Sequence, residues 1–191
     1  MEWMIGLDRD LLRIINTDLS NRGFDYLFVN LTDFHKTMLF QTIVLPLMLI
    51  IFVWKYRAPG LKVIVGLAVT MAVTDSIGSQ LIKKYFERLR PDLAGEDIIL
   101  KAPHFGGFSF VSNHAANMFC LAVFMGFFYP KIRWPLLALA ALVAFSRVYV
   151  GVHYPLDVLG GACFGSLMGW WGSRIWNRLI KRAHLGELKN G

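Results

Sequence analysis

The sequence predicts an all-α membrane protein, a polytopic bundle of five or six helices. Of its 191 residues, 55% are hydrophobic and only 17% are charged, a balance typical of chains whose helices lie in lipid. Several long stretches contain almost no charge, and roughly 20 apolar residues are enough for a helix to cross the hydrocarbon core. No repeat, low-complexity segment or change of composition divides the chain, so we expect one domain over residues 1–191.

The N-terminal segment, residues 1–33, predicts an amphipathic helix that lies in the membrane interface. Charged residues such as Asp8 and Arg13 are mixed with apolar ones such as Trp3 and Leu12, which is too polar for a membrane crossing. The segment also lacks the basic start, apolar middle and small-residue cleavage site of a signal peptide. Residues 24–31 are either a second interfacial piece or an early turn of the first spanning helix.

Five apolar stretches within residues 34–182 predict the helix bundle. Their approximate ranges are 37–54, 61–82, 115–129, 132–150 and 155–180. Lysine and arginine residues lie between the first two stretches, between the third and fourth, and in the C-terminal tail. These places share one side of the membrane if every stretch crosses, and the positive-inside rule makes that side cytoplasmic. Residues 83–111 and 151–154 are then expected to face outward.

Two cations, Lys83 and Arg90, stand at the end of the second apolar stretch. They are seven residues apart, or two helical turns, so we expect them on one helix face. Charges at such a depth are costly, and two cations held together repel unless an anion joins them. The neighbouring cations Lys84, Arg88 and Lys101 are expected only to snorkel toward lipid headgroups.

Asp75 lies inside the second stretch, on the helix face that also carries Lys83. Two interpretations of this carboxylate stay open. It either supports Lys83 from below or is a buried carboxylate that binds neighbouring helices for structure alone.

Ser112 and His114 mark the start of the third stretch. Ser112 is a good N-cap candidate, which places His114 in the first turn beside free backbone N–H groups. A helix N-terminus of this kind binds phosphate readily. The amide of Asn113 can add a further hydrogen bond.

Arg147, His153 and Asp157 stand where the fourth stretch ends and the fifth begins. The planar guanidinium of Arg147 can clamp phosphate oxygens. Pro155 suits the first turn of the next helix, with Asp157 just inside it. Asp157 can accept a hydrogen bond from one nitrogen of His153, which leaves the other nitrogen free to attack. Together the three clusters predict one phosphate site at the outer face.

The ordered pattern of these residues resembles the type 2 phosphatidic acid phosphatase family of membrane lipid phosphatases. It reads Lys, six residues, Arg-Pro; then Ser-Asn-His; then Ser-Arg, five residues, His, three residues, Asp. The second motif departs from the family pattern Pro-Ser-Gly-His, because Val111 and Asn113 replace its proline and glycine. The serine and histidine are kept, so the chemistry is expected to survive, whereas the close backbone contact that glycine allows is altered.

The resemblance implies a lipid phosphatase that requires no metal or other cofactor. It implies that His153 attacks phosphorus and forms a phosphohistidine, that Asp157 orients it, and that His114 protonates the departing oxygen. The phosphate-binding residues that it implies are Lys83, Arg90, Ser112, Asn113 and Arg147. No carboxylate cluster suited to magnesium appears among the motifs.

The expected substrate is a lipid whose phosphate lies at the interface while its chains stay in the bilayer. The resemblance to small bacterial members implies a multi-pass protein of the bacterial inner membrane, with its active site facing the periplasm or outside. Lipid A 1-phosphate is our first choice. The alternatives are undecaprenyl diphosphate, phosphatidylglycerophosphate, and a phosphotransferase that passes the phosphate to another lipid.

Membrane lipids are the only other expected partners. The net charge of +7 is accounted for by topology and the site, so no nucleic-acid partner is expected, and the sequence does not indicate an oligomeric state. A non-catalytic lipid-binding protein would need only the cations, not two histidines and an aspartate. Residues 103–110, rich in phenylalanine and glycine, form either a lip that admits the headgroup or an interfacial anchor.

Overall fold

The computed structural model describes residues 2–103 and 107–190, with side chains over 3–103 and 107–181. Every regular element in these ranges is helical, so the all-α prediction is confirmed. The helices are α1 (Glu2–Arg13), α2 (Arg22–Asp33), α3 (Leu45–Ser76), α4 (Lys83–Phe86), α5 (Asn113–Phe128), α6 (Arg133–Tyr149) and α7 (Pro155–Asn190). The 3₁₀ turns are Phe34–Lys36 and Pro130–Ile132, and the π-helical stretches are Ile14–Asp18, Phe40–Val44 and Ile77–Ile82.

The first two apolar stretches lie in one nearly continuous helical run. Residues Phe40–Phe86 form one helical run of 47 residues, interrupted by non-helical backbone at Arg57 (φ 54°, ψ −146°). A positive φ is uncommon for a residue other than glycine, and Pro59 just beyond it lacks an N–H donor for the preceding turn. The run is therefore two helices that meet at Arg57, close to where the sequence places the boundary.

Two helical runs in the described part of the chain are long and apolar enough to cross a membrane. They are Phe40–Phe86 and Pro130–Tyr149, and the apolar helix Asn113–Phe128 is shorter. The fifth predicted stretch lies within α7, which does not meet the same criterion of length and composition. The five-crossing layout and its orientation therefore stay predictions.

Helix α7 packs against α5 through a row of glycines one turn apart. A Cβ atom at Gly161, Gly165 or Gly169 would collide with the backbone of α5. Small residues at this spacing let two helix backbones approach closely, as in many membrane helix pairs. The close contact holds the start of α7 beside the start of α5.

The N-terminal helices dock on the end of the bundle where α5 and α7 begin. Leu12 is buried in an apolar cluster, and the ring of Phe28 lies 4.9 Å from that of Tyr149. The buried side chain of Asn16 donates hydrogen bonds to two backbone carbonyls, of Ile99 (2.8 Å) and Tyr149 (2.7 Å). Apolar residues of α1 such as Trp3 remain exposed, which is compatible with the predicted interfacial position.

Lys101 does not snorkel as predicted. Its ammonium group donates to Asp25 Oδ1 at 2.8 Å and to the hydroxyl of Ser20. Hydrogen bonds from Lys101 and Tyr149 lower the pKa of the Asp25 carboxyl. The ion pair therefore ties the segment after α4 to α2.

Candidate active site

A cavity of about 190 Å³ lies at the end of the bundle where the three sequence clusters meet. Its wall includes six of the eight predicted site residues, and Ser112 and Asp157 lie buried outside the wall. Residues 104–106 of the predicted lip lie outside the described residues, while Pro103 lines the cavity. The full lining is Lys36, Lys83, Arg90, Pro103, Asn113, His114, Arg147 and His153.

His153 lies in the loop between α6 and α7 and is only 2% exposed. Its Nε2 is 3.3 Å from Nη1 of Arg90. Because a guanidinium only donates hydrogen bonds, we infer that Nε2 carries a lone pair and that Nδ1 carries the proton. Burial, together with repulsion by Arg90 and Arg147, holds the pKa of the His153 imidazole well below its ordinary value. A neutral imidazole with a free Nε2 is the form a nucleophile requires.

Asp157 is completely buried in the first turn of α7. Its Oδ2 accepts a hydrogen bond from the backbone N–H of Tyr154 (2.9 Å) and lies 3.4 Å from His153 Nδ1. The latter contact is longer than a good hydrogen bond, as catalytic contacts often are before substrate binds. The structure thus places Asp157 where it can fix the tautomer of His153.

The predicted arrangement of Lys83 and Arg90 on one helix face is wrong. Helix α4 ends at Phe86, because the next residue, Glu87, adopts a left-handed conformation (φ 46°). Arg90 instead reaches the cavity from a loop, where its Nη1 donates to the carbonyl of Val152 at 2.8 Å. Lys83 Nζ donates to the carbonyl of Phe108 at 3.0 Å. Both cations still line the same cavity.

Arg147 closes α6 as predicted and is 3% exposed. Its Nη1 donates to Thr32 Oγ1 at 2.6 Å and lies 3.5 Å from Asp33 Oδ1. Neither partner carries a sequence signal for this role, because Thr32 and Asp33 are 115 and 114 residues away from Arg147. The guanidinium is therefore oriented by α2 from behind while it faces the cavity.

His114 lies in the first turn of α5, as predicted, and lines the cavity. Its Nε2 is 3.6 Å from Asp33 Oδ1, the carboxylate that also approaches Arg147. Asp33 is thus shared between a phosphate-binding candidate and the predicted acid. The sequence offered no sign of this contact.

Ser112 occupies the N-cap position of α5, but its side chain makes no capping hydrogen bond. Its backbone N–H donates to the carbonyl of Asp157 at 3.0 Å, which ties the starts of α5 and α7 together. Within the described residues, Ser112 Oγ and Arg147 Nε are buried without a hydrogen-bond partner. A buried unsatisfied donor costs about 1–3 kcal/mol, so a phosphate oxygen that accepted from Arg147, which lines the cavity, would be favoured.

Asn113 uses its side chain to bind helix α3. Its Nδ2 donates to Asp75 Oδ1 at 2.9 Å, and Asn117 Nδ2 donates to the same oxygen at 3.0 Å. The carboxylate of Asp75 therefore holds α5 by hydrogen bonds, and its charge also attracts the ammonium group of Lys83. The amide fits here because Gly78 faces it; a Cβ there would lie 3.1 Å from Asn113 Oδ1. A phosphate contact from Asn113 is left to its backbone N–H.

One group in the described ranges has the ligand types of a metal site. Donor atoms of Asp33, His35 and His114 lie within 4.8 Å of one another. However, Lys36 Nζ is 2.8 Å and Arg147 Nη1 3.5 Å from Asp33 Oδ1. Two cations on the only carboxylate oppose a metal cation, so the surroundings favour an anion.

Arg88 was expected to snorkel, and that prediction is wrong. Its Nη1 donates to Asp157 Oδ1 at 2.7 Å and its Nη2 to Asp8 Oδ2 at 2.5 Å. Asp8 and Arg88 are 80 residues apart, so no helical spacing rule connects them. A charge in an amphipathic helix normally faces water, so the sequence does not predict that Asp8 is buried.

An apolar helix bundle with a basic cavity that contains two histidines is suited to an enzyme that acts on phosphate groups. Residues 59–181 match the PAP2 superfamily. This match covers more than half of the chain, so the protein belongs to the PAP2 superfamily. The predicted family and enzyme class, a lipid phosphatase, are thereby confirmed.

Individual relatives agree with this membership. A lipid A 4'-phosphatase of Bacteroides thetaiotaomicron is 30% identical over 178 residues, which covers 89% of this chain and 77% of the relative. The undecaprenyl-diphosphatase BcrC of Bacillus subtilis is 36% identical over 110 residues, 58% of this chain and 52% of the relative. The crystal structure of Aquifex aeolicus LpxE superposes with a TM-score of 0.68 at 26% identity, covering 86% of this chain and 93% of that one.

Proposed function

We propose that the protein hydrolyses a phosphate ester or diphosphate on a lipid headgroup through a phosphohistidine at His153. The observation that carries this proposal is the position of His153 Nε2 beside Arg90 in the basic cavity, with Asp157 behind Nδ1. The cations of the wall would hold the three non-bridging oxygens and stabilise the charge that develops on them.

In the first step, the lone pair on His153 Nε2 forms an N–P bond and the P–O bond to the lipid breaks. His114 gives its proton to the departing lipid oxygen, so the lipid leaves as an alcohol or, from a diphosphate, as a monophosphate. Positive charge grows on the His153 imidazole as the N–P bond forms, and Asp157 stabilises it.

In the second step, water releases the phosphate. His114, now neutral, takes a proton from a water molecule that attacks phosphorus, and the N–P bond breaks. Inorganic phosphate leaves, and both histidines return to their initial protonation states. Arg90 and Arg147 would stay in contact with the phosphoryl oxygens throughout, because they line the cavity from two different segments.

For the substrate we favour lipid A phosphate. Support comes from the relative that covers 89% of this chain, which is named a lipid A 4'-phosphatase. Our sequence-based choice was the 1-phosphate, and the 4'-phosphate is now an equal candidate. Undecaprenyl diphosphate is the second candidate class, supported by the 36% identity to BcrC over a shorter region.

The proposed setting is the bacterial inner membrane, with the cavity facing the periplasm or outside. The orientation follows from the positive-inside rule applied to the lysine and arginine residues between the apolar stretches. The choice of membrane is supported by the bacterial relatives. No step in the proposed mechanism uses a metal, because the cationic side chains take the place of one. Activity in the presence of EDTA tests that part of the proposal.

The deciding experiment is phosphate release by purified protein in detergent with EDTA. The panel contains lipid A 1-phosphate, lipid A 4'-phosphate, undecaprenyl diphosphate and phosphatidylglycerophosphate. His153→Ala is the inactive control, and Lys84→Gln, an exposed cation outside the cavity, is the matched active control. Release that His153→Ala abolishes supports the proposal, and the order of rates identifies the substrate. No release without an acceptor lipid, but transfer when one is added, would identify a phosphotransferase instead.

A further inference from the structure

A buried chain of charges connects the N-terminal helix to the predicted nucleophile. Asp8 and Asp157 have completely buried carboxylates, and the guanidinium of Arg88 bridges them with one nitrogen on each. Asp157 in turn faces His153 Nδ1. The arrangement runs from α1 through a loop residue to the start of α7.

Asp8 also holds the backbone of α7. Its Oδ1 accepts a hydrogen bond from the N–H of Leu156 at 2.8 Å, one of the first-turn donors that a helix leaves unpaired. Leu156 immediately precedes Asp157, so one carboxylate fixes both the helix turn that carries Asp157 and the guanidinium that binds it.

The guanidinium of Arg88 has a third contact, with the aromatic ring of Tyr154. Its guanidinium carbon lies 3.9 Å from the centroid of the Tyr154 ring, a stacking contact that suits arginine. The hydroxyl of Tyr154 donates to Glu96 Oε1 at 3.1 Å. Burial and the nearby Glu96 carboxylate raise the pKa of this hydroxyl, so it stays a donor.

The second carboxylate changes what Arg88 does to Asp157. With one carboxylate, the guanidinium would neutralise Asp157 and draw it away from His153. With two, its charge is shared, and a negative charge remains on the side of His153. That charge opposes the positive charge that grows on the imidazole during attack.

We propose that Asp8, acting through Arg88, is a positioning residue for the pair formed by Asp157 and His153. The N-terminal helix is therefore part of the catalytic apparatus as well as a membrane-facing element. The inference rests on the proposed function of His153 as nucleophile. It adds Asp8, from a helix that precedes the segment matched to the family, and Arg88, from within that segment.

The test compares Asp8→Asn with Asp10→Asn on the same helix. The asparagine introduced by Asp8→Asn keeps an oxygen that can accept from the Leu156 N–H, but it removes the negative charge that pairs with Arg88. Asp10 is exposed and serves as the control. Arg88→Lys, which keeps the charge but cannot contact both carboxylates with a planar fork, is the second variant. Rates are measured with a lipid phosphate and with p-nitrophenyl phosphate, and thermal unfolding in detergent shows that each variant is folded.

We expect Asp8→Asn and Arg88→Lys to lower kcat by about tenfold or more, because small misplacements of a nucleophile have effects of this size. KM should change little, and the loss should be the same for both leaving groups, because the defect lies on the nucleophile side. Asp10→Asn should match the wild type.

A second measurement does not depend on turnover. Nitrogen-15 shifts of labelled histidine report which ring nitrogen of His153 is protonated, with His153→Ala to assign the signal. We expect Asp8→Asn to reduce the fraction with the proton on Nδ1. Unchanged kcat and an unchanged tautomer in both variants would overturn the inference. If the wild type releases no phosphate from any substrate, the proposed function fails, and the tautomer measurement still decides the role of Asp8.

Discussion

Replacing Thr32 by valine tests whether α2 orients the phosphate site. The two side chains have nearly the same shape, and Thr32 is fully buried, so the substitution removes the hydroxyl that accepts from Arg147 at 2.6 Å without leaving a large cavity. A hydrogen bond to a charged group contributes about 1.5–3 kcal/mol. If that amount is lost from the transition state, kcat/KM falls about tenfold to a hundredfold.

The assay is initial phosphate release over a range of lipid concentrations, with thermal unfolding in the same detergent. The matched control is Thr74→Val, because Thr74 is equally buried but its hydroxyl contacts the carbonyl of Thr70 and Cys120 Sγ, and neither residue lines the cavity. We expect this control to keep kcat/KM within about twofold of the wild type. Equal kcat/KM for the two variants would refute the argument that Thr32 orients Arg147.

Three further predictions concern helix packing, protonation and the leaving group. Gly165→Ala should lower the free energy of unfolding by about 1–3 kcal/mol, measured by thermal unfolding, because its Cβ would meet the backbone of α5. The control is Gly6→Ala, whose Cβ would have no neighbour within 4 Å. Equal stabilities of the two variants would contradict the packing argument. His153 should stay neutral by nitrogen-15 shifts as pH falls through about 6.5, the ordinary histidine pKa, because its pKa is depressed; a midpoint near that pH would disprove this. Asp33→Asn should slow hydrolysis of a lipid phosphate more than hydrolysis of p-nitrophenyl phosphate. The reason is that Asp33 faces His114, whereas a good leaving group needs little acid catalysis. Equal losses of rate with the two substrates would argue against that contact.

The meeting of the cluster around Ser112 with the cluster of Arg147 and Asp157 was predictable because these residues stand at helix ends. Ser112 directly precedes α5, Arg147 falls in the last turn of α6, and Asp157 falls in the first turn of α7. Helix ends are marked in sequence by capping residues, proline and the limits of apolar stretches. Local signals therefore placed these residues at one end of the bundle.

The contacts between distant segments could not be predicted in the same way. Arg147 and Thr32 are 115 residues apart, and Arg88 and Asp157 are 69 apart. No periodicity relates such pairs. The first forms only when α2 docks on the bundle, and the second only when the segment after α4 meets the start of α7. The helix end at Phe86 was missed for another reason, because Glu87 adopts a left-handed conformation that its residue type does not favour.

The docking of the N-terminal helices also determines which part of this protein can be exchanged for the corresponding part of a relative. The matched residues 59–181 hold the proposed nucleophile His153 and the cations Lys83, Arg90 and Arg147. The carboxylate of Asp8 and the hydroxyl of Thr32 come from outside that range. A chimera that received another relative's N-terminal segment without these groups would leave Arg88 and Arg147 each short of a partner. For the ion pair of Arg88 with Asp8, the loss of one buried partner costs about 3–5 kcal/mol. The unit for recombination, domain grafting or minimal expression is therefore the bundle together with α1 and α2.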